Sequence, residues 1–268
     1  QFPTSISVDA VFGHRSGIRR NGNVNYIGWA IPESVFIDYE IIQSAPSIYN
    51  YSGIGDVLCF YTGVLDWQLA NKKNKCEKKW SYNQELAMQS LKYVDDLLIN
   101  VDDIKTMNEK GIDTIIRAHQ WGGNSFFSSG WNPRHIEGIE HFFFYNLEFL
   151  TNKKFIHGQP VCLGFVIGCL LHNKLQDKFL KFFKSLDFDF TPSAMNLSWD
   201  NIDNTLPTLK KRMIEEGYAK EECYCCGWNE GRITDGKIAL TIDFIDGNSD
   251  NKSLENMRLL CANCYFVY

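Results

Sequence analysis

The sequence predicts an α+β chain with a short strand-rich start, a mainly helical middle and a small C-terminal module that holds metal through cysteines. Three observations carry this reading. Short apolar runs alternate with turn formers over the first forty residues, apolar residues recur at helical spacing from Ser52 onward, and two Cys-x-x-Cys pairs stand near the end. With 268 residues the chain is long enough for one full core and a second small one. We place the boundaries at 1–45, 46–195 and 206–268, because the composition turns polar after Pro192 and a new pattern starts near Leu206.

In the first part, Pro3 to Ser7 and Val35 to Asp38 read as strands, and the Gly/Asn-rich Arg19 to Asn25 as a turn. In the second, Leu86, Leu91, Val94, Leu97, Leu98 and Val101 mark one helix. Phe142, Tyr145, Leu147, Phe149 and Leu150 mark another, and Leu180, Phe182, Phe183 and Leu186 a third. Val161 to Leu171 is interrupted by Gly164 and Gly168 and is too short to span a membrane, so it reads as a buried helix. The Lys/Asn-rich segment from Lys72 to Lys79 reads as a solvated insertion.

Composition narrows the function classes. A formal charge of −5 disfavours partners held chiefly through phosphate groups, so nucleic acid is not the expected partner. Five of nine cysteines lie in the last fifth of the chain, a metal pattern more than a disulfide framework, which points to a reducing, cytoplasmic setting. No leader is visible and the chain opens on Gln1, which we read as truncation; no membrane association is expected, and a homo-oligomer is compatible with the sequence.

Three residues in the middle region suggest a second metal site. Asp56 is a lone acidic residue in an apolar run, either a helix N-cap or a ligand. His141 and His157 stand near the starts of consecutive helices joined by the Thr151-Asn152-Lys153-Lys154 turn. Two imidazoles and one carboxylate make a site with a vacant position, as Lewis-acid catalysis requires. Gly55-Asp56-Val57-Leu58, Leu65-Asp66-Trp67, Glu137-Gly138-Ile139-Glu140-His141 and His157-Gly158, taken in order, resemble the clan of iron-containing alcohol dehydrogenases, glycerol-1-phosphate dehydrogenases and dehydroquinate synthases over roughly residues 1 to 190.

The resemblance implies that Asp56, His141 and His157 bind a catalytic zinc or iron. It also implies NAD(P)-linked oxidation of a small polyol or polyol phosphate, and that residues 1–45 are the remnant of an α/β nucleotide-binding domain. Pro3-Thr4-Ser5-Ile6-Ser7-Val8-Asp9 is similar to the clan's cleft strand, so Thr4 and Asp9 become candidate cofactor and substrate residues and Arg15 a candidate phosphate contact. No glycine-rich phosphate loop precedes the metal residues. Cys59, Phe60, Tyr145 and Gln159 differ from residues found in some relatives, so substrate identity does not carry over.

In the third part, Cys223, Cys226, Cys261 and Cys264 have the spacing of a structural four-thiolate zinc site. The text around Leu240 to Asn248 and Leu254 to Cys261 resembles the HNH endonuclease family, which implies a ββα-type zinc module. Phe244 and Tyr265 stand where that family has histidines, and only Asn256 of its three name-giving residues is present. Phenylalanine neither accepts a proton nor binds a cation, so nuclease chemistry is expected to be lost. Eight basic against twelve acidic residues from Asn196 to the end also argue against DNA binding. The alternative to an oxidoreductase is therefore a non-catalytic nucleic-acid- or protein-binding protein built on this degenerate module.

Overall fold

A computed structural model describes residues 1–14, 16–20, 23–29, 32–72, 74, 76, 78–199, 201–202, 220–231, 238, 240–248, 256–261 and 264. The chain divides into two compact units, the first made of Gln1–Asp66 and Tyr82–Leu197 and the second of Trp67–Ser81 and Ser198–Tyr268.

The first unit is mainly helical. Its helices are α1 (Tyr39–Ser44), α2 (Ser47–Lys72, whose last turn belongs to the second unit), α3 (Gln84–Ile99), α4 (Val101–Thr106), α5 (Glu109–Ser128), α6 (Ile139–Thr151), α7 (Gly158–Leu171) and α8 (Asp177–Ser185). Side-chain oxygens of Asp38, Asn83 and Asn108 accept the amides of Ile41, Leu86 and Gly111, and so cap α1, α3 and α5. Every residue from Tyr51 to Phe60 is buried, because α2 is apolar all round and runs through the middle of the core. Ile54, Val57 and Leu58 share that core with Leu97 of α3, Ile112 and Ile115 of α5, Phe165 of α7 and Phe179 of α8.

A hairpin of β1 (Ser16–Arg20) and β2 (Asn23–Ile27) pairs antiparallel, with Ser16 opposite Ile27 and Arg20 opposite Asn23. The segment read as a turn thus holds two strands, and Asn21-Gly22 between them is the dipeptide that favours a two-residue hairpin loop. Pro3 to Ser7 and Val35 to Asp38 are not strands. The Ile6 amide binds the Asn50 side chain at 3.2 Å, so this stretch is fixed to α2 rather than to a neighbouring strand.

Helix α6 turns a different face inward from the one its aromatics suggested. Glu140, His141, Phe143, Phe144, Leu147 and Glu148 are buried, while Phe142 and Phe149 are exposed. The same holds for α8, where Phe179 and Phe182 are buried and Leu180 is exposed. Helix α5 was not read from the sequence; its inner face begins with Ile112, Ile115 and Ile116 but continues through His119, Gly122 and Gly123, residues that an apolar scan does not count.

In the second unit, β3 (Leu240–Phe244) pairs antiparallel with β4 (Met257–Cys261) beside a small core of Cys223, Leu240, Leu259, Leu260, Cys261 and Cys264. The Lys72–Lys79 segment read as a solvated insertion includes the last residue of α2 and an exposed Asn74, and Lys78 opens a short 3-10 helix, Lys78–Trp80. Leu206, where the new pattern was read to begin, lies outside the described residues. No helix among the described residues is long and apolar enough to cross a membrane.

Candidate metal centre

Asp56 lies ten residues into α2, well past its first turn, so it is not an N-cap. Its carboxylate is buried, and burial of an ion without partners is costly. The partners come from two other helices. His157, at the N-cap position of α7, brings Nε2 to 2.8 Å from Asp56 Oδ1, and His141, in the first turn of α6, brings Nε2 to 3.8 Å from the same oxygen. The two imidazole rings are 5.3 Å apart. One ligand atom from each of Asp56, His141 and His157 lies within 4.8 Å of the others.

Close backbone approach brings these helices together. A side chain at Gly158 would run into the carbonyl oxygen of Ser52, one helical turn before Asp56, and one at Gly164 would meet the Glu140 backbone at 2.8 Å. The Gly158 amide donates to the Ser52 hydroxyl at 2.7 Å, which ties the start of α7 to α2. Asp66, nearly three turns further along α2, receives the Ile139 amide at 2.9 Å and thereby holds the start of α6, while its other oxygen pairs with His172 at the end of α7.

Behind His141 sits a second buried carboxylate. Glu140 Oε1 is 3.1 Å from His141 Nδ1 and accepts the Gly138 amide at 2.6 Å, and its Oε2 accepts the Thr62 hydroxyl at 2.5 Å. Held in this way, Nδ1 donates to Glu140, which leaves Nε2 as the ring nitrogen on the side of Asp56. Cys59 also lies close, since its sulfur, a Glu140 oxygen and a His141 nitrogen form a second set within 4.8 Å. Burial, together with Glu140 and Asp56, pushes the Cys59 thiol well up, and its Sγ donates to the Gly55 carbonyl at 3.0 Å.

The electrostatics show a cage with an excess of negative charge. Burial alone would raise the Asp56 carboxyl, but His157 and His141 hold it well below the usual range. Burial opposes a charge on His141, yet Glu137, Glu140 and Asp56 raise it to about 10. Asp9 is pushed up to about 8 by burial and by the charges of Asp56 and Glu137. Such a cage favours a cation, whether a proton on His141 or a metal ion in its place.

Among the other residues singled out by sequence, Asp9 donates its amide to Asp56 Oδ2 at 3.0 Å and is half-buried beside the centre. Thr4 is exposed, and Arg15 lies outside the described residues. Sequence reasoning assigned no role to Glu137, Glu140, Thr62, Asp66 or His172. It also missed His119, buried on α5, whose Nε2 is 2.9 Å from the Gly53 carbonyl; because a carbonyl only accepts, that nitrogen carries the proton. The Glu137-Gly138-Ile139-Glu140-His141 string held two of these carboxylates in plain view, but one-dimensional spacing does not show which of them faces inward.

In the second unit one sulfur from each of Cys223, Cys226, Cys261 and Cys264 lies within 4.8 Å of the others. Burial would raise the Cys223 thiol, but backbone amides of Cys261, Cys226 and Cys225 lower it to about 6, favouring thiolate. Burial raises Cys261. Asn256 is buried and ties the loop between β3 and β4, since its side chain accepts the Asp246 amide at 2.9 Å and donates to the Asp246 carboxylate at 2.7 Å. Asp243 is paired with Arg258 at 2.6 Å.

No family model matches the chain. It is 32% identical over 171 residues to a glycerol-1-phosphate dehydrogenase (NAD(P)+) of Thermococcus kodakarensis, a match covering 64% of this chain and 47% of that protein. It is 29% identical over 187 residues to the protein of the same name from Aeropyrum pernix, covering 70% and 51%. The chain therefore spans about half the length of the curated relatives it matches. A probable glycerol dehydrogenase from Sinorhizobium meliloti superposes with a TM-score of 0.56 over 74% of this chain and 57% of that one, at 17% identity, a likeness of fold. Over roughly two thirds of its length, then, the chain is similar to glycerol-1-phosphate dehydrogenases, and in fold it is like a probable glycerol dehydrogenase.

Proposed function

We propose that the first unit is the metal-binding, substrate-side part of an NAD(P)-linked oxidoreductase acting on a small polyol or polyol phosphate. The observation that carries this reading is the convergence of Asp56, His141 and His157, two nitrogens and one oxygen from three helices, on one buried point. That donor set fits zinc or iron and leaves coordination positions free for substrate. When bound, the ion supplies Lewis acidity that lowers the pKa of a substrate hydroxyl, so that the carbon bearing it can release hydride to the nicotinamide.

The chain's own residues set the stage for that step. Glu140, fixed by Gly138 and Thr62, orients His141. Asp9 holds Asp56 through its amide and is assigned to the substrate side of the cleft. Thr4 toward the nicotinamide and Arg15 toward a phosphate rest on the family resemblance alone. Names of the relatives support the coenzyme and the substrate class.

The test is metal stoichiometry. His141→Ala combined with His157→Ala is expected to lower the bound metal by one ion per chain, and a double variant that keeps its full complement overturns the reading. For the second unit we assign a structural zinc to Cys223, Cys226, Cys261 and Cys264. The hydrogen bonds of Asn256 to Asp246 after β3 and the cross-strand pair of Asp243 with Arg258 support a non-catalytic role for this HNH-like module.

A further inference from the structure

The proposed catalytic ion does not use every metal donor that α2 and α6 bring together. Nearly one turn after Asp56, Cys59 places its sulfur with a Glu140 oxygen and a His141 nitrogen, and these atoms all lie within 4.8 Å of one another. Cys59 and Glu140 are fully buried and His141 nearly so. A buried free cysteine is by default a packing residue. Here its sulfur shares a dry pocket with a carboxylate and an imidazole, and the three carry the donor types of a metal site. Sulfur, nitrogen and oxygen together suit a thiophilic divalent cation, whereas calcium and magnesium ask for oxygen alone.

Distances and charge both allow an ion there. Bonds of about 2.0–2.1 Å at tetrahedral angles set nitrogen and oxygen about 3.3 Å apart, and a sulfur bond of about 2.3 Å sets sulfur about 3.6 Å from either. His141 Nδ1 is already 3.1 Å from Glu140 Oε1. Within the 4.8 Å limit the sulfur has at most about 1.2 Å to close, which a small rotation about its single side-chain bond supplies. Glu140 is held from its other sides by the Gly138 amide at 2.6 Å and the Thr62 hydroxyl at 2.5 Å. Two of the donors carry protons that an ion replaces: Cys59 Sγ donates to the Gly55 carbonyl at 3.0 Å, and Nδ1 donates to Glu140. Exchanging two protons for one divalent cation leaves the net charge of the pocket unchanged. The cost of burying additional charge, which ordinarily keeps ions out of a core, does not arise.

We infer that Cys59, Glu140 and His141 form a second cation site, for a thiophilic divalent ion, and that His141 bridges it to the first site through its two ring nitrogens. The inference rests on the proposed function in taking His141 Nε2 as a ligand of the first ion. On binding, Sγ and Nδ1 each release a proton to solvent and gain a bond to the ion, and nothing is oxidised or reduced. Because two protons must leave, the second ion follows the first and is taken up only when metal is in excess. Through the shared ring, filling the second site changes the ligand field of the first.

The experiment titrates the metal-free whole chain with Co²⁺, whose near-ultraviolet charge-transfer absorption reports bonds to thiolate and whose visible bands report the ligand field. Wild type and Cys59→Ser share the four-cysteine site, so the difference between them isolates Cys59. Wild type is expected to take up one ion per chain more than Cys59→Ser, with the extra ion arriving last, adding thiolate absorption and shifting the visible bands of the ion already at His141. His157→Ala, which touches only the first set, is expected to lose the ion that has no thiolate bond and to keep the Cys59-dependent one. Equal uptake by wild type and Cys59→Ser overturns the inference and leaves the first site standing. So does a Cys59-dependent band that forms with an earlier ion and brings no extra uptake. Unchanged uptake in His157→Ala refutes the first ion instead, and the bridge with it. A measurement on wild type alone guards against a variant that fails to fold. With Zn²⁺, which binds more tightly than Co²⁺, kept in the four-cysteine site, cobalt-edge X-ray absorption is expected to show sulfur neighbours only from the second cobalt onward. Cobalt with nitrogen and oxygen neighbours alone at every loading overturns the inference.

Discussion

Replacing Glu140 with glutamine tests how the cage is held. The wild-type carboxylate sits at 0% exposure and meets three donors, the Gly138 amide at 2.6 Å, the Thr62 hydroxyl at 2.5 Å and His141 Nδ1 at 3.1 Å. An amide has one acceptor oxygen in place of two and brings an NH2 group that only donates, so at least one buried donor loses its partner. Leaving a buried donor unsatisfied costs about 1–3 kcal/mol. At about 1.4 kcal/mol per tenfold, the metal affinity of the Asp56–His141–His157 site is expected to fall about 10- to 100-fold, the range found for partners of ligating histidines. Competition with a fluorescent zinc chelator measures this, with the four-cysteine site common to both proteins. Glu85→Gln, exposed in the first turn of α3, a helix that supplies no ligand, is the control and is expected to leave the affinity unchanged. An affinity within about twofold of wild type in Glu140→Gln would refute the orienting role.

The remaining predictions concern the core, the backbone contact, acid stability and the second unit. Phe179→Ala removes a fully buried ring packed on Phe165 and Tyr61 and is expected to cost about 3–5 kcal/mol in urea unfolding. Gly158→Ala places a methyl against the Ser52 backbone, so it is expected to displace His157 and lower metal affinity at least about tenfold, read by the same chelator competition. Burial holds His135 down to about 4 from its ordinary 6.5, so the folded chain keeps it neutral while the unfolded chain takes up a proton. Its contribution is fully present above pH 6.5 and is lost as pH falls toward 4, about 3 kcal/mol in all, and His135→Gln is expected to flatten that limb of the stability profile. Cys223→Ser with Cys261→Ser is expected to remove one zinc per chain by elemental analysis without altering the His141 site.

How much of this was legible in the sequence depends on whether a feature is local. The ordered strings around Asp56, His141 and His157 identified the residues whose ligand atoms lie together, because a resemblance condenses three-dimensional proximity into motif order. The supporting shell was not legible. Thr62 meets Glu140 across 78 positions and Asp66 meets His172 across 106, and neither pair has a spacing that marks it. Helix α6 misled for a related reason, since its aromatics are spread around the axis and two buried carboxylates, each with partners, occupy the inner face. The hairpin was signalled by Asn21-Gly22 but lost to the wider Gly/Asn-rich reading. Only the first half of helix α5 carried an apolar signal, in Ile112, Ile115 and Ile116, because histidine and glycine line the half that meets Gly53 of α2 and the Asp9–Phe12 turn.

The Gly158–Ser52 contact has a further consequence for how an ion arrives. With main chain resting on main chain at that point, the three ligands owe their positions to helix placement, which is settled when the chain folds. Little conformational entropy is then left to lose at capture. The apo first unit should keep its fold when chelated, losing only the stability that binding itself adds, whereas the cysteine module, half of whose small core is cysteine, should loosen without zinc.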